Sequence, residues 1–280
     1  MKKDTKILAL TGKGGVGKTT VCAAFVRALT EKHKGAKILA IDADPAVGLA
    51  TALGVEVKET LDNIRTEVIE KAEDGKGREA IELLGEVRYR IFDAIVETDS
   101  FSFLAIGRPE GAGCYCSINS YLKDVIAMVS EEFDYVVIDG EAGIEQVNRR
   151  VMDKVTHLFL VTDMSKKGIQ VIKTIKKVAD DLVGYEKLGV IVNRLDDPAM
   201  LDIIMDEATE NSENELSQNT DEDEGKNHCL GTIDGMDIVA AITRDPAHAK
   251  NDMLGRTVFE LDETSPVYVG ALQALDSMSL

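Results

Sequence analysis

An eight-residue glycine-rich motif near the start of the chain constrains its fold more than any other feature. The motif runs Gly12, Lys13, Gly14, Gly15, Val16, Gly17, Lys18, Thr19 and matches the pattern G-x-x-x-x-G-K-[ST]. The apolar residues 6–10 before it favour a strand, and residues 19–32 after it carry apolar side chains at helical spacing. A strand, a glycine-rich loop and a helix in this order predict a site for nucleotide phosphates.

The residue types in the motif indicate how such a site works. Glycines let the backbone turn tightly and aim its N–H groups at phosphate oxygens, and the helix N-terminus adds a favourable dipole. We expect Lys18 to reach the β- and γ-phosphates and the Thr19 hydroxyl to ligate Mg²⁺. Thr20 completes the predicted nucleotide-binding segment, which begins at Gly12.

The rest of the chain alternates strand-like and helix-like segments. Short apolar runs predict strands at 37–41, 101–106, 135–138, 157–161, 188–192 and 238–242. Helical periodicity favours helices at 118–130, 169–183 and 266–275, and residues 58–97 are charged and helix-like. Continuous apolar strands separated by helices imply a mainly parallel sheet covered on both faces. The prediction is one α/β domain over residues 1–280, a three-layer P-loop NTPase.

Charge is distributed unevenly along the chain. The net charge is −18, and residues 196–226 hold twelve acidic residues and one basic residue. An acidic chain disfavours general binding to nucleic acid or to anionic membranes. We expect an acidic, solvated and mobile insertion at about 197–227; an alternative is a metal-attracting or partner-docking arm that uses His228 and Cys229.

Two features of the sequence indicate the cellular compartment of the protein. No run approaches 18 apolar residues, and the N-terminus lacks the apolar core and cleavage site of a signal peptide. Four cysteines in 280 residues do not form a secreted disulfide scaffold, so a reducing cytoplasm is expected.

Polar residues follow several of the predicted strands. Asp42 and Asp44 follow the second strand, and Asp139 ends the apolar run Tyr135-Val-Val-Ile. A buried strand that ends in a carboxylate is the physical form of a Walker B element, which delivers an acid to the Mg²⁺ region.

Two cysteines one residue apart, Cys114 and Cys116, stand at the end of a glycine-rich loop. They cannot form a comfortable disulfide with each other, and in a reducing compartment they are candidate thiolate ligands for a metal. One such pair supplies half of a tetrahedral or square-planar set, whereas a symmetric dimer supplies four sulfurs. Soft thiolates suit both Ni²⁺ and Zn²⁺.

The run KGGVGKT, with its second lysine Lys13, resembles the deviant Walker A family, the SIMIBI class that includes MinD, ArsA, ParA and the nitrogenase iron protein. The resemblance implies that ATP is the nucleotide and that Lys13 reaches across a homodimer interface to the partner's phosphates. It also implies that Asp44, with Asp42, orients the attacking water and touches the metal shell. Catalysis then rests on Lys13, Lys18 and Asp44.

The same resemblance assigns further residues to the nucleotide. Asp139-x-x-Ala-Gly143 is similar to the second switch, whose glycine senses the γ-phosphate. Asn193 and Arg194 close the sixth strand, where the family places an Asn that reads the base. Asp245 lies where family members line the adenine pocket.

Four elements together are most similar to the CooC-type maturation ATPases of carbon monoxide dehydrogenase and acetyl-CoA synthase. They are Lys13–Thr19, Asp42–Pro45, Glu141–Glu145 and Cys114–Cys116. The resemblance implies a homodimer that binds Ni²⁺, or Zn²⁺ in its place, between its subunits. It implies a nickel–iron–sulfur client enzyme.

Two alternatives stay open at this point. An ATP-driven electron carrier resembling the nitrogenase iron protein would hold a [4Fe–4S] cluster, but residues 139–151 lack its second cysteine, and Cys116 would have to substitute. A spatial-regulation ATPase of the MinD or ParA type would need a membrane helix or a basic DNA-binding surface. Residues 267–280 contain no Lys or Arg, which disfavours both surfaces.

Overall fold

The computed structural model describes residues 5–44, 46–73, 86–87, 89–107, 116–140, 154–201 and 229–280. At residues 71–73, 116–122 and 182 it describes the backbone alone.

A nine-stranded sheet forms the centre of the molecule, in the order β3-β4-β2-β5-β1-β6-β7-β9-β8. Its strands are β1 (Lys6–Gly12), β2 (Ile38–Asp42), β3 (Val96–Glu97), β4 (Ser102–Ala105), β5 (Tyr135–Asp139), β6 (His157–Thr162), β7 (Lys187–Leu195), β8 (Thr232–Ile233) and β9 (Met236–Thr243). All pairs from β4 through β9 in this order are parallel, whereas β3 and β8 pair antiparallel at the two edges. The prediction of a mainly parallel sheet is confirmed.

Helices cover both faces of the sheet. They are α1 (Lys18–Lys32), α2 (Gly48–Leu53), α3 (Leu61–Glu73), α4 (Cys116–Ser130), α5 (Lys166–Leu182), α6 (Pro246–Met253) and α7 (Pro266–Ser277), with a 3₁₀ turn at Val258–Glu260. Alternate side chains of one strand point to opposite faces. Leu8 and Leu10 pack with α1, α2 and α7, and Ala9 packs with α3, α4 and α5. The result is the predicted three-layer arrangement.

The short elements are those that the sequence patterns did not predict. Helices α2 and α6 span 6 and 8 residues, and the edge strands β3 and β8 span 2 residues each. Pro246 takes the first position of α6, where its missing N–H costs nothing, and no residue of α6 is buried. The predicted insertion at about 197–227 lies outside the described residues except for its first five positions, 197–201.

The strand ends are level at the carboxyl edge of the sheet. Leu10 of β1 is in register with Asp139, and Asp139 is in register with Asp42, which is itself opposite Ala105. The chain runs from β1 first towards β2 on one side and later towards β6 on the other. Open parallel sheets bind ligands outside the carboxyl ends of their strands, at such a reversal of strand order. The fold therefore places a ligand site next to the end of β1.

Candidate nucleotide site

The glycine-rich loop leaves β1 at this edge and enters α1. Gly12, Gly15 and Gly17 have φ values of +150°, +78° and +89°, which side chains rarely adopt. A Cβ atom at Gly12 would lie 2.0 Å from the carbonyl oxygen of Val161 in the neighbouring strand. Gly17 is the N-cap of α1, and no side chain caps the helix. The first backbone N–H groups of α1 therefore face the loop without a side-chain acceptor, which suits an anion.

Lys18 begins α1 and is directed back over the loop. Its residue is 8% exposed, and its Nζ donates a hydrogen bond to the carbonyl oxygen of Lys13 at 3.3 Å. The long side chain is held in place instead of extending into water, so an ammonium group is preorganised above the loop.

The second lysine of the loop is held within its own chain. The Nζ of Lys13 lies 2.7 Å from Oδ2 of Asp163 and 3.3 Å from Oγ of Ser165. Partial burial would raise the pKa of Asp163, but hydrogen bonds from Lys13 and Ser165 lower it below its usual value. Asp163 and Ser165 were not among the predicted site residues. The signal for Asp163 was an acid two residues after the predicted strand 157–161, at the same edge as the loop.

Asp42 is a buried carboxylate with backbone partners. Its Oδ1 accepts the N–H of Asp44 at 3.1 Å and its Oδ2 accepts the N–H of Leu49 at 2.8 Å. Burial raises the pKa of Asp42 to about 6, against these hydrogen bonds. Asp42 thereby holds the turn between β2 and α2.

Asp139 is the most unusual acid of the site. It is 1% exposed, and neither carboxylate oxygen has a hydrogen-bond partner of ordinary geometry among the described residues. Burial raises the pKa of Asp139 to about 7, and the charge of Asp42 adds to this effect. The hydroxyl of Thr19 and the ammonium of Lys18 lie close enough to lower it in part. A carboxylate this deeply buried is costly to ionise unless a cation balances its charge.

The donors around Asp139 fit Mg²⁺. They are carboxylate oxygens of Asp139 and Asp42 and the hydroxyl of Thr19, and hard oxygen donors of this kind are what Mg²⁺ prefers. Asp44 lies just beyond, in the turn after β2, and its Oδ1 accepts the N–H of Ala46 at 2.8 Å. Gly143 of the predicted second switch lies outside the described residues.

The residues predicted to contact the base are engaged within the protein. The Nδ2 of Asn193 donates to the carbonyl oxygen of Val16 at 2.8 Å, and its Oδ1 accepts the N–H of Arg194. Asp245 caps α6, because its Oδ1 accepts the N–H groups of Ala247 and His248. Arg194 is exposed and has a φ of +63°. Their roles at a base stay predictions.

The cysteine pair lies at the limit of what the structure describes. Cys114 and His228 lie outside the described residues, and Cys116 is described only as the first backbone position of α4. Among described residues, no group of three or more His, Cys, Asp or Glu side chains could hold a metal ion. Cys22 of α1 is buried in the core, and Cys229 is an exposed free cysteine.

Comparisons with known proteins agree with this geometry. The model of the CobQ/CobB/MinD/ParA nucleotide binding domain matches residues 7–246. The chain therefore belongs to this family of P-loop, MinD/ParA-type ATP-binding proteins.

Two proteins of related sequence and one solved structure are similar to most of the chain. An uncharacterized ATP-binding protein of Methanocaldococcus jannaschii is 34% identical over 94% of each chain. The carbon monoxide dehydrogenase accessory protein CooC of Rhodospirillum rubrum is 32% identical over 72% of this chain and 79% of its own length. The MinD cell division protein of Aquifex aeolicus shares the fold with a TM-score of 0.63 at 20% identity, over 98% of this chain and 97% of that one.

In the described part of the chain, no helix combines the length and the apolar character needed to cross a bilayer.

Proposed function

We propose that the protein is an ATP-hydrolysing, nickel-binding maturation factor. It dimerises with ATP and assists insertion of nickel into a nickel–iron–sulfur enzyme such as carbon monoxide dehydrogenase or acetyl-CoA synthase. The observation that carries the proposal is the pair Cys114 and Cys116 in a chain that is 32% identical to the CooC protein. Zn²⁺ is the ion that could take the place of Ni²⁺.

The described residues on either side of the cysteine segment support a site shared between subunits. Strand β4 ends at Ala105, in register with Asp42 at the carboxyl edge of the sheet, and α4 begins at Cys116. Lys13 lies at the same edge, next to the end of β6. A dimer that closes over this edge would bring each Lys13 towards the partner's nucleotide and four thiolates together. Four sulfurs complete a set that one chain half fills.

The proposal gives each residue of the site a role in hydrolysis. The P-loop N–H groups and Lys18 bind the triphosphate and stabilise the charge that develops on the transferred phosphoryl group. Asp44 orients the water that attacks the γ-phosphorus and releases ADP and phosphate. Asp139, Asp42 and Thr19 would hold Mg²⁺, which neutralises negative charge on the β- and γ-phosphates when bound.

The ion pair between Lys13 and Asp163 is expected to affect dimerisation. This ion pair within one chain must break before Lys13 can act on a partner's nucleotide. Asp163→Asn is expected to favour the ATP-dependent dimer by about two- to fivefold, because a partly exposed ion pair, here 24% and 27% exposed, contributes up to about 1 kcal/mol. Lys13→Ala is expected to bind ATP and remain monomeric. Sedimentation in ATP and Mg²⁺ without nickel measures both effects.

A second lysine–aspartate pair serves as the matched control. Lys173 of α5 and Asp234 of the turn between β8 and β9 form an exposed pair at 2.9 Å, away from the loop, so Asp234→Asn should leave dimerisation unchanged. Equal dimer fractions in wild type, Lys13→Ala and Asp163→Asn would return Lys13 to an ordinary surface lysine.

Activation of a client enzyme tests the proposed function itself. Nickel-free carbon monoxide dehydrogenase is incubated with the protein, Ni²⁺ and MgATP, and its activity is followed. We expect activation by wild type and loss of activation with Cys114→Ala or Cys116→Ala. Cys229→Ala is the matched cysteine control and should activate normally. If Cys114→Ala and Cys116→Ala activate the enzyme as well as wild type does, the proposal is contradicted.

A second assay addresses the MinD/ParA alternative, which the activation experiment does not test. The family and the MinD fold are compatible with spatial regulation. Cosedimentation with anionic vesicles and with DNA in ATP tests it, and binding to either surface would favour that alternative over the maturation role.

A further inference from the structure

Helix α5 carries a group of lysines on its outer side, in a chain whose net charge is −18. Its inner side is apolar and contributes Ile172 and Ile175 to the core. From its first residue to residue 177 the helix contains no acidic residue. It contains five lysines there, which together form the lysine face of α5: Lys166, Lys167, Lys173, Lys176 and Lys177. Positions 166, 173 and 177 fall on one stripe of the helix, on the side away from Ile175.

The charges of α5 are placed against its own macrodipole. Lys166 and Lys167 lie in the first turn, at the positive end of the dipole, and Asp180 and Asp181 lie in the last turn, at the negative end. The reverse arrangement is the one that stabilises a helix. The stability of α5 therefore does not explain why lysines stand at its start, whereas a ligand of opposite charge would.

The described part of the chain balances only some of this charge. Lys176 pairs with Asp180 at 2.7 Å, and Lys173 pairs with Asp234 at 2.9 Å. The remaining three lysines of the face are exposed and form no ion pair with another described residue; they are Lys166, Lys167 and Lys177. An acidic ligand would find these three ammonium groups available.

The acidic segment 202–228 leaves and re-enters the described chain on the side of the sheet that α5 covers. The segment lies outside the described residues and contains ten acidic residues and one lysine. Leu201 precedes it and belongs to the same apolar cluster as Ile172 of α5. Cys229 follows it, and Ile233, four residues further on, belongs to that cluster as well. Both ends of the segment are thus anchored beside the helix.

The segment is long enough to cover the lysine face from these anchors. Its 27 residues can span at most about 90 Å, at about 3.3 Å per extended residue. Helix α5 has 17 residues and is about 26 Å long, at about 1.5 Å per residue. The pair between Lys173 and Asp234 shows that the turn between β8 and β9 already contacts the middle of the helix.

We infer that the lysine face of α5 is a docking surface for the acidic segment 202–228 of the same chain. The two carry opposite charge, and the tether keeps the segment at an effective concentration on the order of millimolar. Single exposed ion pairs are weak, so docking depends on several of them together and weakens as salt is added. While the segment is docked, the face is closed to other acidic partners. The inference goes beyond the proposed function and requires neither nucleotide nor nickel.

Binding of the segment as a separate peptide tests the inference in the full-length protein without nucleotide. The probe is a fluorescent peptide with the sequence of residues 202–228, followed by anisotropy at low and high salt. A segment-neutral variant removes competition from the chain's own segment by seven changes: Glu210→Gln, Glu213→Gln, Glu215→Gln, Asp221→Asn, Glu222→Gln, Asp223→Asn and Glu224→Gln. We expect this variant to bind the peptide about tenfold more tightly than wild type, in a salt-sensitive manner.

Lysine substitutions in the segment-neutral variant locate the binding surface. Lys166→Gln, Lys167→Gln and Lys177→Gln together are expected to weaken peptide binding about tenfold, the effect of losing three exposed ion pairs. The matched control removes the same charge from three exposed lysines outside α5, by Lys34→Gln, Lys37→Gln and Lys250→Gln. It should bind the peptide like the segment-neutral variant. An equal loss in both triple variants would reduce the effect to net charge and overturn the inference.

Zero-length carbodiimide cross-linking of wild type tests the contact within the intact chain. We expect cross-links from the lysine face to carboxylates of residues 202–228 within one chain. Cross-links found only between chains would overturn the inference and make the face an interface between copies. A segment-neutral variant that does not bind the peptide would also overturn it and leave 202–228 as a solvated insertion. Both experiments omit nucleotide and metal, so failure of the proposed function would leave their results unchanged.

Discussion

Replacement of Lys18 by alanine is expected to reduce ATP turnover by at least about a hundredfold, the effect of removing a preorganised charge from a phosphoryl-transfer site. Lys18 is 8% exposed and is held over the loop by its bond to the Lys13 carbonyl oxygen. Its ammonium can therefore meet the phosphates without first being ordered. Release of phosphate from MgATP measures turnover, and calorimetry of the same variant should show weakened ATP binding.

Lys34→Ala provides the control, because Lys34 is an exposed lysine beyond the end of α1. It should hydrolyse ATP at the wild-type rate. If turnover in Lys18→Ala is within twofold of wild type, Lys18 does not act in hydrolysis and the assignment of residues 12–19 as a phosphate loop is wrong.

Asp139→Asn is expected to stabilise the protein without ligands while it abolishes Mg²⁺-dependent hydrolysis. The folded-state pKa of Asp139 is about 7 against an ordinary value of 3.8, so the folded state binds a proton more tightly than the unfolded state between these values. The free energy of unfolding of wild type should therefore fall as pH rises from about 4 to about 7. At pH 8 the asparagine removes a buried charge, and the shift from 3.8 to about 7 corresponds to a gain of about 4 kcal/mol.

Thermal melts from pH 5 to 8, without nucleotide or Mg²⁺, measure this effect. The variant should melt above wild type at pH 8, and the difference should shrink towards pH 5. Asp237→Asn, at an exposed position of β9, should change neither the melting temperature nor hydrolysis. A variant that melts below wild type at every pH, or that keeps Mg²⁺-dependent turnover, would show that Asp139 is not a metal-binding carboxylate.

The parts of the site that lie next to one another in sequence were predictable. The phosphate motif predicts β1, the loop and α1, because the glycines and the flanking apolar runs carry that information within 30 residues. Asp42 and Asp139 follow from the rule that parallel strands present their ends at one edge, and the register confirms their proximity.

Contacts across the fold were not predictable from local patterns. The bond from Asn193 to Val16 joins residues 177 positions apart, and the bond from Lys13 to Asp163 spans 150 positions. Both depend on strand order, which the alternation of strands and helices does not specify. Helices α2 and α6 are too short for a periodic signal and depend on packing and capping instead.

Asp245 makes two contacts that the sequence pattern did not predict. Asp245 follows β9 at the predicted edge, but its Oδ1 caps α6 and its Oδ2 accepts the hydroxyl of Ser265 at 2.6 Å. A pattern of Asp followed by Pro favours a turn as well as a helix start, and the structure contains the helix.

We propose that two chains share one metal ion through four thiolates under the control of ATP. Ni²⁺ titrated into reduced protein, with and without a slowly hydrolysed ATP analogue, tests it most directly. Because sites linked through one dimer interface must couple reciprocally, nucleotide should change nickel affinity and nickel should change nucleotide affinity by the same factor. Affinity should also fall as pH drops, because protons compete for the thiolates.

We expect one nickel ion per two chains in wild type and in Cys229→Ala, and no nickel site in Cys114→Ala or Cys116→Ala. One ion per chain that survives loss of Cys114 and Cys116 would contradict it and direct attention to His228 and Cys229. A brown protein with the absorbance of an iron–sulfur cluster would contradict it in favour of an ATP-driven electron carrier.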